Sequence, residues 1–174
     1  MNGVAIRALE LSEWKTFRDF RLASLKSTPG VFSLSYDEAT KWSPQEWQAE
    51  MKGPGHQVFG LFDEKSLIGI TAAFTYRGDP TGQTALLAMS SISLPYRGRG
   101  LSSMLYDARL AWIRAQPQFR RVLVSHRKSN EASRRANQRH GFIQTKEVPR
   151  SWPDGEIEDE VFYELEIADE KARP

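Results

Sequence analysis

The sequence contains no cysteine among its 174 residues. Disulfide bridges, thiolate metal ligands and a cysteine nucleophile are therefore excluded, and so is any covalent acyl-cysteine intermediate. A chain of this length can bury a substantial core without disulfides or a metal ion. We therefore expect a single domain over residues 1–174 and no bound metal.

Long apolar runs are also missing. No stretch of 18 consecutive apolar residues occurs, and the first 14 residues contain no apolar segment typical of a signal peptide. These absences argue against a membrane span and a secretory signal. We therefore expect a cytoplasmic protein that does not associate with membranes.

The net charge is small, at +2, which does not favour nucleic acid as a partner. The charge is unevenly distributed, however. Residues 97–150 contain 13 Lys or Arg against three acidic residues, and the rest of the chain is net acidic. A basic segment in a nearly neutral chain indicates either an anionic ligand or a solvated basic face.

The pattern of apolar residues and turn residues predicts a mixed α/β domain of the α+β kind. The predicted strands cover residues 4–9, 57–62, 67–76, 84–94, 121–126, 142–148 and 160–167. Two predicted helices begin near Ser12 and Ser43, and two more cover residues 100–115 and 130–140. Residues 149–159 are predicted as a loop, and residues 31–40 as a loop or a broken helix. This order predicts about seven strands, mostly antiparallel, flanked by about four helices, with one crossover helix.

A turn rich in Gly and Arg lies where the predicted strand 84–94 leads into the helix 100–115. The first helical turn offers unpaired N–H groups and the positive end of the helix dipole, which together suit a phosphate. Gly98 and Gly100 allow the backbone to approach an anion closely, and Arg97 and Arg99 supply charge. Hydroxyl donors follow at Ser102 and Ser103. The alternative is a basic turn on a solvated surface.

Known phosphate-binding patterns distinguish between the ligands that such a turn could hold. The Walker pattern GxxxxGK[ST] is absent, and Gly98, Gly100 and Ser103 give only an incomplete GxGxxG that does not open a βαβ unit. The pattern R/Q-x-x-G-x-G/A fits residues 97–102, with Ser102 at the last position.

Two segments carry a resemblance to a known family. The run LPYRGRGLSSML resembles the pyrophosphate-binding segment of the GCN5-related N-acetyltransferases (GNAT), and NEASRRANQRHGF, residues 130–142, resembles their second motif. The order and the separation of the two motifs agree with the family as well. The resemblance implies a GNAT-like sheet in which the two central strands splay apart, and a site for acetyl-CoA.

The resemblance also implies which residues contact the cofactor. Backbone groups of Ser91, Ile92 and Ser93 would pair with pantetheine, and the Ile92 N–H would stabilise the oxyanion. The amides of residues 98–103, including Leu101, would hold the pyrophosphate. Asn130 would bond to the pantetheine arm, although a plain helix N-cap is an alternative. Arg134 and Arg135 are candidates for the nucleotide phosphates, with at least one of them on a solvated face.

The sequence departs from the family at a catalytic position. Many relatives carry a Tyr seven residues after the Asn of the second motif, where it acts as the general acid, but this chain has Asn137. An amide can donate a hydrogen bond but cannot deliver a proton at neutral pH. We hypothesise that Asn137 orients the thioester. His126 is the candidate general base, since histidine has a suitable pKa range, with a structural histidine as the alternative.

The sequence therefore predicts an N-acetyltransferase that moves an acetyl group from acetyl-CoA to a primary amine of a small molecule or peptide by direct attack. A non-catalytic acyl-CoA-binding module is the alternative. Similar folds pair through their last strands, which favours a homodimer. Residues 26–55 and 149–159 are expected to shape the acceptor site, where Tyr36, Glu38, Tyr76 and Trp152 are candidate contacts.

Overall fold

A computed structural model describes residues 3–51 and 53–167, and all strands in this part of the chain form one sheet. The strands are β1 (Val4–Ala8), β2 (His56–Asp63), β3 (Ser66–Thr75), β4 (Thr84–Ile92), β5 (Arg121–Arg127), β6 (Ile143–Ser151) and β7 (Ile157–Glu166). The helices are α1 (Trp14–Ser27), α2 (Tyr36–Ala39), α3 (Pro44–Met51), α4 (Ser102–Arg114) and α5 (Glu131–Arg139). Short 3-10 turns cover Leu11–Glu13 and Leu94–Tyr96.

The strand order across the sheet is β1-β2-β3-β4-β5-β7-β6. β4 and β5 are parallel, and the other neighbouring strands are antiparallel. A parallel pair needs a crossover connection, which α4 supplies here. The predicted mixed, mostly antiparallel seven-stranded sheet is confirmed.

The parallel pair of strands at the centre of the sheet stays together for only part of its length. Thr84 to Leu87 of β4 pair with Arg121 to Val124 of β5, and pairing stops there although both strands continue. Met89 has a positive φ of 60°, close to the point where β3 and β4 shift register. β4 therefore bends away from β5, and the splayed pair that the resemblance implied is present.

Helices cover both faces of the sheet. Ala72 and Ala73 are adjacent on β3, so their side chains point to opposite faces. Ala72 belongs to a buried cluster with Phe17 of α1 and Trp47 of α3. Ala73 belongs to a cluster that contains several side chains of α4. The open end of the β4–β5 pair thus lies between two helical layers.

Residues 31–40 and 149–159 contain more helix and strand than a loop would. The 31–40 segment contains α2, which begins with a capping box in which Ser35 and Glu38 satisfy each other's backbone N–H groups. β6 and β7 extend through most of the predicted 149–159 loop, leaving residues 152–156. Arg150 of β6 donates a 2.5 Å hydrogen bond to Glu160 of β7 and so stabilises the pairing of the two strand ends. These ends are polar, so runs of apolar residues do not reveal them.

Within residues 3–51 and 53–167, no helix is long and apolar enough to cross a membrane. The prediction of a cytoplasmic location stays a prediction.

Candidate active site

A cleft of about 790 Å³ opens where β4 separates from β5, and we call it the glycine-loop cleft. It is bounded by the end of β4, the turn before α4, the start of α5 and the loop after α1. Nine residues predicted for the cofactor site line it: Ser91, Ile92, Arg97, Gly98, Gly100, Leu101, Ser102, Asn130 and Arg135. The tertiary structure thus brings together residues that are up to 44 positions apart in the chain.

The turn before α4 requires its two glycines. Gly98 has a φ of 74° and Gly100 a φ of 77°, a region that other residues avoid. A Cβ atom at either position would meet no described atom within 4 Å, so the glycines are needed for their dihedral angles and the space beyond them is open. No side chain in the described part of the chain caps α4, whose first residues face this open space.

The end of β4 presents one of its residues to the cleft through its backbone. The Ser93 N–H donates to the Ile68 carbonyl of β3 at 2.8 Å. Because backbone groups alternate in direction along an antiparallel strand, the N–H and C=O of Ile92 point away from β3. The Ile92 carbonyl accepts a 2.7 Å hydrogen bond from Nε of Arg97, which leaves its N–H as the group directed to the opening.

Three predicted cofactor contacts lie outside the wall of this cleft. Ser93 uses its N–H within the sheet. The guanidinium of Arg99 lies over the ring of Tyr96 at 5.0 Å, and the Ser103 N–H donates to the Gly100 carbonyl at 3.2 Å. Internal contacts therefore account for these three groups.

The start of α5 contributes the second motif. Asn130 is the N-cap of α5, because its Oδ1 accepts a 3.1 Å hydrogen bond from the Ser133 N–H. Its side-chain amide nitrogen remains for another partner. Arg134 pairs with Glu131 at 2.6 Å on the exposed face, whereas Arg135 lines the cleft. Arg139, which the sequence analysis did not select, lines it as well.

A second cleft of about 500 Å³ contains many aromatic side chains, and we call it the aromatic cleft. Phe32, Trp42, Tyr76, Trp152 and Phe162 all line it. Of the candidate acceptor contacts, Tyr76 and Trp152 are therefore present, whereas Tyr36 and Glu38 belong to α2 and do not line it.

His126 borders the aromatic cleft and not the glycine-loop cleft, but its ring stacks on Tyr163 at 5.3 Å, on the face of the sheet opposite to Ser125 and Glu160. Its Nδ1 is 2.8 Å from the Arg127 carbonyl oxygen, which can only accept, so Nδ1 carries the proton. Nε2 is buried and has no hydrogen-bond partner in the described part of the chain. Burial lowers the pKa of His126, with Arg134 acting in the same direction. The imidazole is thus neutral near pH 7 with a free lone pair on Nε2.

The two clefts meet at the loop after α1, because Val31 and Phe32 line both of them. This loop is held by Arg127, which donates to the Gly30 carbonyl at 3.3 Å and also pairs with Asp154 and Glu158. A Cβ atom on Gly30 would overlap Asp154, so glycine permits this close approach. The loop, β5 and the β6–β7 turn are therefore joined at the boundary between the clefts.

The sequence was compared with known proteins. The model of the acetyltransferase (GNAT) family matches residues 14–142, which includes both motifs and most of the two clefts. The chain belongs to this family. No curated protein matches the sequence.

Solved GNAT structures have the same fold at low sequence identity. An acetyltransferase from Streptococcus pneumoniae has a TM-score of 0.82 and 19% identity, with 94% of this chain and 99% of that chain covered. The acetyltransferase yncA from Salmonella typhimurium, solved with acetyl-CoA, has a TM-score of 0.74 and 18% identity, covering 99% and 98%. A third, also from Salmonella typhimurium, modifies the N-terminal serine of a 50S ribosomal subunit protein (TM-score 0.74, 15% identity, 97% of each chain).

Membership of the GNAT family makes acetyl-CoA-dependent acyl transfer the activity class of this protein. Among the residues the structure describes, no three His, Asp or Glu side chains are grouped so that they could hold a metal ion.

Asn137 stands at the position where many GNAT enzymes carry a Tyr that acts as general acid. Asn137 is fully buried and does not line either cleft. Its Oδ1 accepts a 2.5 Å hydrogen bond from the hydroxyl of Tyr106, a residue of α4 that does line the glycine-loop cleft. The ring of Tyr106 stacks on His140 at 4.1 Å, and burial raises the pKa of its hydroxyl. Asn137 therefore reaches the cleft only through Tyr106, which nothing in the sequence had marked.

Proposed function

We propose that this protein transfers an acetyl group from acetyl-CoA to a primary amine by direct attack in a ternary complex. The observation that carries the proposal is the meeting of two clefts at the open end of the β4–β5 pair. One cleft has a glycine turn suited to a pyrophosphate, and the other has an aromatic lining suited to an acceptor.

Acetyl-CoA would occupy the glycine-loop cleft. The pyrophosphate would accept hydrogen bonds from the backbone N–H groups of residues 98–102, and Arg97, Arg135 and Arg139 would add positive charge. Pantetheine would extend along the exposed side of Ile92 and reach the amide of Asn130. The thioester would then lie near the loop that separates the two clefts.

The acceptor would enter through the aromatic cleft as an ammonium ion. Water would carry one proton from the ammonium group to Nε2 of His126, which is buried, and the neutral amine would attack the thioester carbon. The Ile92 N–H would stabilise the oxyanion of the tetrahedral intermediate. Breaking the C–S bond would release the thiolate, which takes up the second amine proton, and His126 would return its proton to water. This route needs neither a cysteine nor a tyrosine at position 137.

The alternative is an acyl-CoA-binding module without catalytic activity, which the absence of the family Tyr favours. A third possibility, a nucleotide-binding module, uses the same turn. Thermal shift with acetyl-CoA, CoA, ATP and NAD separates nucleotide binding from CoA binding. Thiol release from acetyl-CoA across amines, amino acids, polyamines and peptides then tests catalysis.

We expect stabilisation by acetyl-CoA and CoA but not by ATP or NAD, and thiol release with a subset of the amines. Stabilisation by acetyl-CoA without release for any acceptor at high enzyme concentration would favour the binding module. Replacement of His126 by Gln should reduce release while leaving stabilisation by CoA unchanged.

We also propose a homodimer that forms through β6. This strand is at the edge of the sheet and exposes Ile143 and Val148, and Ile157 is exposed at the start of β7. Unpaired edge strands readily pair with a second copy. Light scattering after size exclusion should give the mass of two chains, and Ile143→Lys should shift it to one; a monomer in the unmodified protein would contradict the proposal.

A further inference from the structure

An arginine of α1 is buried beside the aromatic cleft and forms no ion pair with any residue in the described part of the chain. Arg21 is 4% exposed and lines this cleft. Its guanidinium lies 4.2 Å from the ring centre of Phe32, and its Nε and Nη1 have no hydrogen-bond partner in the described residues. Burial lowers its pKa to about 10, so it is still a cation at neutral pH.

The nearby carboxylates of the protein leave this cation unsatisfied. Glu50 lines the same cleft and attracts Arg21, but the two form neither a hydrogen bond nor an ion pair in the structure. Glu160 also lines the cleft, but it accepts hydrogen bonds from Ser125 and Arg150. A buried charge without hydrogen bonds is costly, and the cost is recovered when an anion fills the position.

The planar guanidinium has the geometry that a carboxylate matches with two parallel hydrogen bonds. Arg21 lies in the cleft proposed for the acceptor, so a small molecule with its carboxylate at Arg21 would keep its amine within the same cleft. The aromatic side chains around them offer an apolar surface for the rest of the molecule. Phe32 contacts Arg21 and also lines the glycine-loop cleft, which sets Arg21 close to the boundary with the cofactor.

We propose that Arg21 binds the carboxylate of the acceptor, and that the acceptor is a free amino acid with an apolar or aromatic side chain. This inference rests on the proposed acetyl transfer to an amine. In a peptide, the group next to the terminal amine is an amide carbonyl without charge, which would leave the Arg21 cation unpaired. A free amino acid satisfies it.

The test uses matched acceptors that differ in the carboxylate alone. The common amino acids, their amides and their decarboxylated amines, such as leucine, leucinamide and 3-methylbutylamine, are compared by thiol release from acetyl-CoA. Charge-assisted hydrogen bonds predict a kcat/KM about 10- to 100-fold higher for the preferred acid than for its amide. In Arg21→Met this ratio should fall towards one, and Arg21→Lys should give an intermediate value.

Arg18→Met is the matched control, because Arg18 is on the same helix, bonds to Asp19 and does not line the aromatic cleft. It should keep the ratio of the unmodified protein. Amides turned over as well as acids would overturn the inference, as would a preference for acids that persists in Arg21→Met. If Arg21→Met does not fold, the ratio of kcat/KM for the acid to that for its amide is compared between the unmodified protein and Arg21→Lys. An equal ratio in the two proteins would overturn the inference.

A separate measurement distinguishes failure of this inference from failure of the proposed function. Calorimetry records binding of the amino acids and amides to the CoA-loaded protein, with no turnover required. Binding of acids that is lost in Arg21→Met supports the anion site even when no thiol is released. Absence of binding for every acid would overturn the inference.

Discussion

The Tyr106 hydroxyl donates a 2.5 Å hydrogen bond to Oδ1 of Asn137, and the pair joins α4 to α5 behind the wall of the glycine-loop cleft. Tyr106→Phe removes the donor and leaves the buried Asn137 oxygen unpaired. We expect a loss of about 1–3 kcal/mol in the free energy of unfolding. Tyr106→Phe with Asn137→Leu should recover part of it, because both polar partners are then gone. Denaturant unfolding measures all three proteins.

The same pair makes a prediction for activity. Asn137→Ala frees the hydroxyl of Tyr106, which then loses its fixed position in the cleft wall. We expect a higher KM for acetyl-CoA and a lower kcat, both measured by thiol release. Unchanged values would show that Asn137 has no part in orienting the thioester, directly or through Tyr106.

The glycine turn predicts a loss of cofactor binding that is separate from stability. Gly98→Ala and Gly100→Ala each place an alanine at a positive φ, which costs about 1–2 kcal/mol. Gly82→Ala is a matched control, since Gly82 has a φ of 70° and equally open space but lies in the β3–β4 turn. All three should lower the melting temperature by similar amounts. Only the Gly98 and Gly100 variants should weaken binding of CoA in calorimetry; equal weakening in Gly82→Ala would count against the turn as the pyrophosphate site.

Substitution of Asn130 separates its two suggested roles. Asn130→Ser keeps an N-cap oxygen for the Ser133 N–H but removes the amide nitrogen, whereas Asn130→Ala removes both. We expect Asn130→Ser to keep most of the stability and Asn130→Ala to lose about 1 kcal/mol. Both should raise the KM for acetyl-CoA. If Asn130→Ser binds CoA normally, the residue is a cap alone.

The pKa of His126 predicts a pH dependence. Burial lowers this pKa below its ordinary value, so the neutral imidazole persists as the pH falls through the usual histidine range. The acidic limb of kcat/KM should therefore lie below pH 6.5. His126→Gln should remove that limb. The control variant His56→Gln should keep it, because His56 lines neither cleft. An identical limb in His126→Gln would assign the titration to another group.

The free energy of unfolding should also depend on pH through the lowered pKa of His126. Because folding favours the neutral form of His126, the unfolded chain binds more protons as the pH falls below 6.5. Stability should then decrease on acidification through this range, and less steeply in His126→Gln. Urea titrations at pH 5 to 7.5 measure this difference in slope.

Local sequence was sufficient for much of the fold because its signals are short in range. The strand runs, the glycine turn before α4 and the Asn130 cap, which was one of two roles suggested for that residue, depend on neighbours within a few residues, and all were predicted. The paired ends of β6 and β7 were not, since cross-strand contacts such as Arg150 with Glu160 join positions whose side chains are polar. For residues 31–40 the sequence left a loop and a broken helix as alternatives, because the capping box of α2 covers only one turn.

Residue order alone was enough to predict a cysteine-free mixed α/β chain with a glycine turn suited to an anion and an Asn at the family's tyrosine position. The surroundings of those residues depend on long-range packing. It places Tyr106 against Asn137, stacks His126 on Tyr163 and buries Arg21 beside the aromatic cleft with no ion pair to the residues that the structure describes. The first two contacts join residues 31 and 37 positions apart, and their energies come from burial and charge that packing alone creates.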